Sequence, residues 1–199
     1  MSLQNKSPLY YTVHVQNSEW RWCYSAKALQ KLLNQTLRGQ KLLRMMVDAC
    51  GYVEAIPHGG NHLDLTYMGG NLLLVFERTA LELEILAEGL VRYRIMPRWY
   101  LRIRPGSGPI PLEYTPDPTC FCDLKASFET EYEGRIVCRA EVDQTWSWAF
   151  CATGLNEEKA DAAAEAFDLP NAIRFLLEDG TELCLFADVI ENYSIVLER

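Results

Sequence analysis

LELEILAEGLVRYRIMPRWYLRIR, residues 81–104, is the stretch whose reading decides the fold. Leu and Glu favour helices, yet Leu81, Leu83 and Ile85 alternate strictly with Glu82 and Glu84, which sends the two sets to opposite faces of an extended strand. Glu88-Gly89 supplies a turn, so the pattern predicts a hairpin between residues 81–85 and the run that begins at Val91. From 91 to 103 the odd positions read Val, Tyr, Ile, Pro, Trp, Leu, Ile. The even positions carry Arg92, Arg94, Met96, Arg98, Tyr100, Arg102 and Arg104. This spacing predicts a core face that includes Trp99 and an outer face bearing five guanidinium groups.

Working outward, the same period of two recurs. Leu9–Gln16 alternates, and short segments at 52–56, 62–67 and 71–77 are separated by Gly59-Gly60 and Gly69-Gly70. Residues 124–132 alternate against Lys125, Glu129, Glu131 and Glu133, and Gly134 turns them toward a second run from 135 to 143 as a hairpin. Residues 173–177, 181–187 and 193–197 read as three more strands. Helical spacing appears twice. It runs from a Ser25 cap to Gly51, with Gly39 as a candidate interruption, and over 156–168, where Asn156 caps and Pro170 stops the run. The expected fold class is α+β: mainly antiparallel β-sheet, as a sandwich or open barrel-like arrangement, with two principal helices over about 25–50 and 156–168.

Five of the nine prolines lie between Pro105 and Pro118, together with Gly106 and Gly108, a composition that sustains neither helix nor ladder. Charge changes at the same place. Residues 1–105 carry a surplus of five basic groups, and residues 106–199 a surplus of thirteen acids. These shifts divide the chain into a basic lobe (1–105), a linker or long loop (106–118) and an acidic lobe (119–199), with packing as one domain left open. Trp20-Arg21-Trp22 and Trp146-Ser147-Trp148 each follow a strand and precede a helix and three strands, which hints at a duplicated β-α-β-β-β unit. That order is similar to the vicinal oxygen chelate metalloenzymes, and the likeness would make His14, Glu77 and Glu198 residues of suitable type for ligands. About sixty extra residues, from Arg78 to Arg135, separate the two units, and the second has no histidine counterpart on its first strand.

Composition sets the outer limits. Apolar residues at 49% and charged residues at 23% are those of a globular chain, and the longest apolar runs fall far short of the roughly 18 residues a membrane span needs. No basic, apolar, small-residue segment opens the sequence, so a cytoplasmic location is expected. The seven cysteines are odd in number and irregularly spaced, which predicts free thiols. A net charge of −8 disfavours nucleic acid as a partner.

Three candidate sites follow. Arg92, Arg94, Arg98, Arg102 and Arg104 with Tyr100 have the chemistry for a carboxylate or phosphate, because guanidinium groups donate paired hydrogen bonds and stack on rings. The structural alternative pairs them with Glu82 and Glu84 across the hairpin, or with Glu129, Glu131 and Glu133. Trp20, Trp22, Trp146 and Trp148 would line an apolar pocket or simply build the core. His58, His62 and Asp64, in and just after a glycine-rich turn, offer neutral nitrogen and anionic oxygen to a divalent metal, against the plainer reading of turn residues. No phosphate-binding loop, dinucleotide fingerprint, nucleophile elbow or zinc-protease helix occurs. The expected function is therefore noncatalytic binding or regulation through a protein partner or small anionic ligand, with a metal-dependent enzyme acting on a small molecule as the alternative.

Overall fold

A computed structural model describes residues 10–23, 25–49, 52–57, 62–67, 70–85, 91–109, 119–128, 131–144, 170–187 and 192–198. In chain order these hold β1 (Tyr11–Val15), β2 (Arg21–Trp22), α1 (Ala26–Leu37), β3 (Leu42–Asp48), β4 (Tyr52–Pro57), β5 (His62–Tyr67), β6 (Gly70–Phe76), β7 (Thr79–Ile85) and β8 (Val91–Pro97). After a 3₁₀ turn at Arg98–Tyr100 come β9 (Leu101–Pro105), β10 (Cys120–Asp123), β11 (Val137–Gln144), β12 (Pro170–Leu177), β13 (Glu182–Ala187) and β14 (Asn192–Glu198). Alternation thus prevails over helix propensity at residues 81–85: β7 pairs antiparallel with β8, setting Glu82 opposite Arg94 and Glu84 opposite Arg92.

Two antiparallel sheets result, one of eight strands in the order β2-β8-β7-β6-β3-β10-β1-β9 and one of six in the order β11-β12-β13-β14-β5-β4. One buried cluster joins them, with Met45, Leu74, Phe76 and Leu81 from the first sheet meeting Val137, Phe175, Leu183 and Ile195 from the second. The Phe76 and Phe175 rings meet edge to face, centroids 6.3 Å apart. Leu73 and Val75 alternate with these residues and turn the other way. There they join Val13, Met46, Ala80, Met96 and Phe121, with Leu101 and Ile103 packed alongside. Strands from both halves of the eight-stranded order share this second cluster. The mainly antiparallel α+β architecture expected from the alternation is therefore present.

Several expectations need correction. The described residues hold one α-helix, not two principal ones, and α1 covers only the first half of the predicted 25–50 run. Ser25 caps it, its hydroxyl accepting from the Ala28 amide at 3.2 Å. Gly39 then takes a φ of +76°, a conformation that glycine adopts without steric cost, and the chain continues as β3. Met45, Met46 and Val47 follow as a strand buried on both faces, which accounts for their helix-like apolar run. The predicted 156–168 helix lies outside the described residues. Leu124–Ser127 is a 3₁₀ turn and no hairpin strand, because the Asp123 carboxylate accepts from the Lys125 amide at 3.0 Å and bends the chain. The duplicated unit is not seen in the strand order. After α1, β3 pairs with β10 and β6 while β4 and β5 join the other sheet, whereas β12, β13 and β14 form a simple meander.

The strands also interleave across the proline-rich stretch. β4 and β5, from the first 105 residues, complete the sheet of β11–β14, while β10 sits between β3 and β1. Tyr132 ties the same regions together. Its buried hydroxyl accepts from the Met45 amide at 3.2 Å and donates to Asp123 at 3.4 Å, and Asp123 pairs with Arg44 at 3.2 Å. Burial pushes the Tyr132 phenol well above its usual range.

Candidate functional site

Pro97 divides the arginine run. Its fixed φ ends β8, and the 3₁₀ turn that follows breaks the alternation, so the five arginines occupy two environments and not one outer face. On β8, Arg94 is 5% exposed and Glu82 1% exposed. Arg94 Nε donates to Glu82 at 2.6 Å, Asn71 Nδ2 donates to the other carboxylate oxygen at 2.7 Å, and Arg92 pairs with Glu84. The Trp20 ring lies against both guanidinium carbons, at 4.6 Å from Arg92 and 4.5 Å from Arg94. Register puts it there, because β2 pairs with β8 so that Trp22 stands opposite Arg92. Arg92, Arg94 and Trp20 are therefore parts of a closed ionic cluster.

Beyond the turn the chemistry differs. Arg98, Arg102 and Arg104 are exposed, and among the described residues no carboxylate lies within ion-pair distance of any of them. With Val75, Leu101 and Ile103 they line a cleft of about 390 Å³. Trp99, expected in the core, is 74% exposed and packs edge to face on half-buried Tyr100 at 6.1 Å. The turn rotates it out of the strand's period, and Pro97 was the signal in the sequence for that change. Tyr100 also borders a larger cleft, of about 630 Å³, whose lining includes Ser18, Glu19, Arg21, Thr36 and Tyr93. No local pattern points to this second cleft, which three separated segments build. Burial raises the Tyr93 phenol there, with Cys23 adding to the effect.

The remaining candidates separate. Trp22 is exposed beside Arg92, whereas Trp146, Trp148 and His58 lie outside the described residues. His62 and Asp64 sit in β5, where Val196 and Ser194 of β14 are their backbone partners; their side chains are likewise outside the described set. Among the described residues no three His, Cys, Asp or Glu side chains gather to hold a metal ion. His14 lies exposed on β1 opposite Arg102, and Glu77 is exposed in the β6–β7 turn. The five described cysteines are free. Burial pushes the Cys122 thiol up, with Asp48 and Cys120 adding to the shift, the reverse of what a reactive thiolate requires. Among the described residues no helix is long and apolar enough to cross a membrane. Set against protein-family models, curated proteins and solved structures, the chain matches none of them significantly.

Proposed function

We propose that this chain is a noncatalytic binding protein that receives an anionic group, carboxylate or phosphate, on Arg98, Arg102 and Arg104, with Trp99 and Tyr100 as the adjoining aromatic surface. The observation that carries the reading is the contrast within one arginine run. The cations before Pro97 are matched by buried carboxylates, whereas the three after it face a cleft without one among the described residues. Planar guanidinium groups hold carboxylate and phosphate oxygens in pairs, and an exposed tryptophan adds apolar area at small entropic cost. On a chain of net charge −8, a group of arginines with no carboxylate partner among the described residues concentrates attraction for anions at one place.

The test is thermal protection by inorganic phosphate and by citrate, compared between the wild-type chain and the triple variant Arg98→Gln, Arg102→Gln, Arg104→Gln. Protection by at least one anion in the wild type, lost in the triple variant, is expected. Equal protection of both proteins, or protection of neither, would overturn the assignment.

A further inference from the structure

Sheets expose unpaired backbone groups at their outer strands, and proteins shorten, cover or charge those strands. Here β2 is two residues long. At β11 the helix closes the edge: Asn34 bonds the Ala140 carbonyl at 2.6 Å and amide at 3.0 Å, and Gln30 accepts from the Val142 amide at 2.9 Å. The last strand of the eight-stranded order, β9, pairs with β1 alone among the described residues. Its phase is set by bonds at both ends of its ladder with β1, from the Gln16 amide to the Tyr100 carbonyl and from the Gly106 amide to the Tyr10 carbonyl. Even positions therefore bond inward to β1. Leu101, Ile103 and Pro105 direct their backbone outward; the Leu101 amide is taken by the Arg98 carbonyl, and Pro105 has none. The outward groups are the Ile103 amide and the carbonyls of Leu101, Ile103 and Pro105.

From this edge, and resting on the anion-binding reading above, we infer that the partner is an extended acidic polypeptide segment that adds as a further strand beside β9. Backbone bonds form at Ile103 and Leu101, and carboxylates on alternate residues of the segment face Arg102 and Arg104, as cross-strand neighbours do at about 5 Å. Charge selects the occupant. A second copy of β9 pairing with this edge would set arginines among arginines, whereas an acidic strand cancels them. Arg98 and exposed Trp99, at the start of β9, supply a further cation and an apolar contact at one end of the segment.

The test uses the full chain and two peptides of about eight residues, a length typical of strands. One alternates glutamate with valine; the other has the same charge with prolines in place of the valines. The alternating peptide should bind at least about tenfold more tightly, the equivalent of one or two backbone hydrogen bonds, and should slow exchange of the Ile103 amide. N-methylation of the alternating peptide at the backbone amides that would face β9 should remove that preference at unchanged peptide charge, while phosphate protection of the protein persists. Equal binding of the two peptides, abolished in the triple arginine variant, would overturn strand addition and leave the anion site standing. Failure of both peptides and of phosphate would overturn both.

Discussion

Arg94 and Arg102 belong to one alternating run in the sequence, yet removing their charges has opposite consequences. Arg94 holds a carboxylate that is 1% exposed, so Arg94→Gln strands the Glu82 charge in a water-poor site. Breaking such a pair costs about 3 kcal/mol or more, whereas an exposed arginine without an ion-pair partner contributes within about 0.5 kcal/mol. Urea denaturation should therefore show a large drop in midpoint for Arg94→Gln and almost none for Arg102→Gln; equal effects would refute this division of roles. The pairing of Glu82 and Glu84 with β8 was legible because a hairpin's register follows from local turn chemistry. Trp20 beneath both guanidinium groups was not, since β2 meets β8 across about seventy residues of chain.

Single elements were read well where apolar and polar residues alternate strictly, as in β1, β7 and β8, and this held even for β7, whose glutamate face is buried as well. The reading failed at β3, whose two buried faces leave an apolar run without a period of two. It failed again at 124–127, where one aspartate cap outweighed the alternation. α1 shows what an element does beyond burying its apolar stripe: Gln30 and Asn34 satisfy the backbone of the outermost strand of the second sheet. Asn34→Ala should leave the Ala140 amide and carbonyl without that partner, at a cost of about 1–3 kcal/mol. Denaturant titration, together with faster amide exchange at Ala140, would register it; unchanged exchange would show that the helix does not protect the edge.

For the whole molecule, the interleaving of strands across residues 106–118 predicts cooperative behaviour. Neither sheet is complete without strands from both sides of that stretch, so fluorescence and circular dichroism should report one coincident unfolding transition, and fragments 1–109 and 119–199 should each lack strand signal when separate. Two resolved transitions, or a folded fragment, would contradict this. The sequence by itself determined that extended strands dominate, roughly where most of them run, and that cations and carboxylates alternate on the hairpin of β7 and β8. Those features arise from contacts between near neighbours, which a period of two and a turn residue suffice to specify. Only the tertiary structure decided which sheet each strand joins, which arginines meet a carboxylate among the described residues, and which strands end a sheet. Each of these depends on groups far apart in the chain meeting through burial, and local pattern carries no information about which distant surface a face will find.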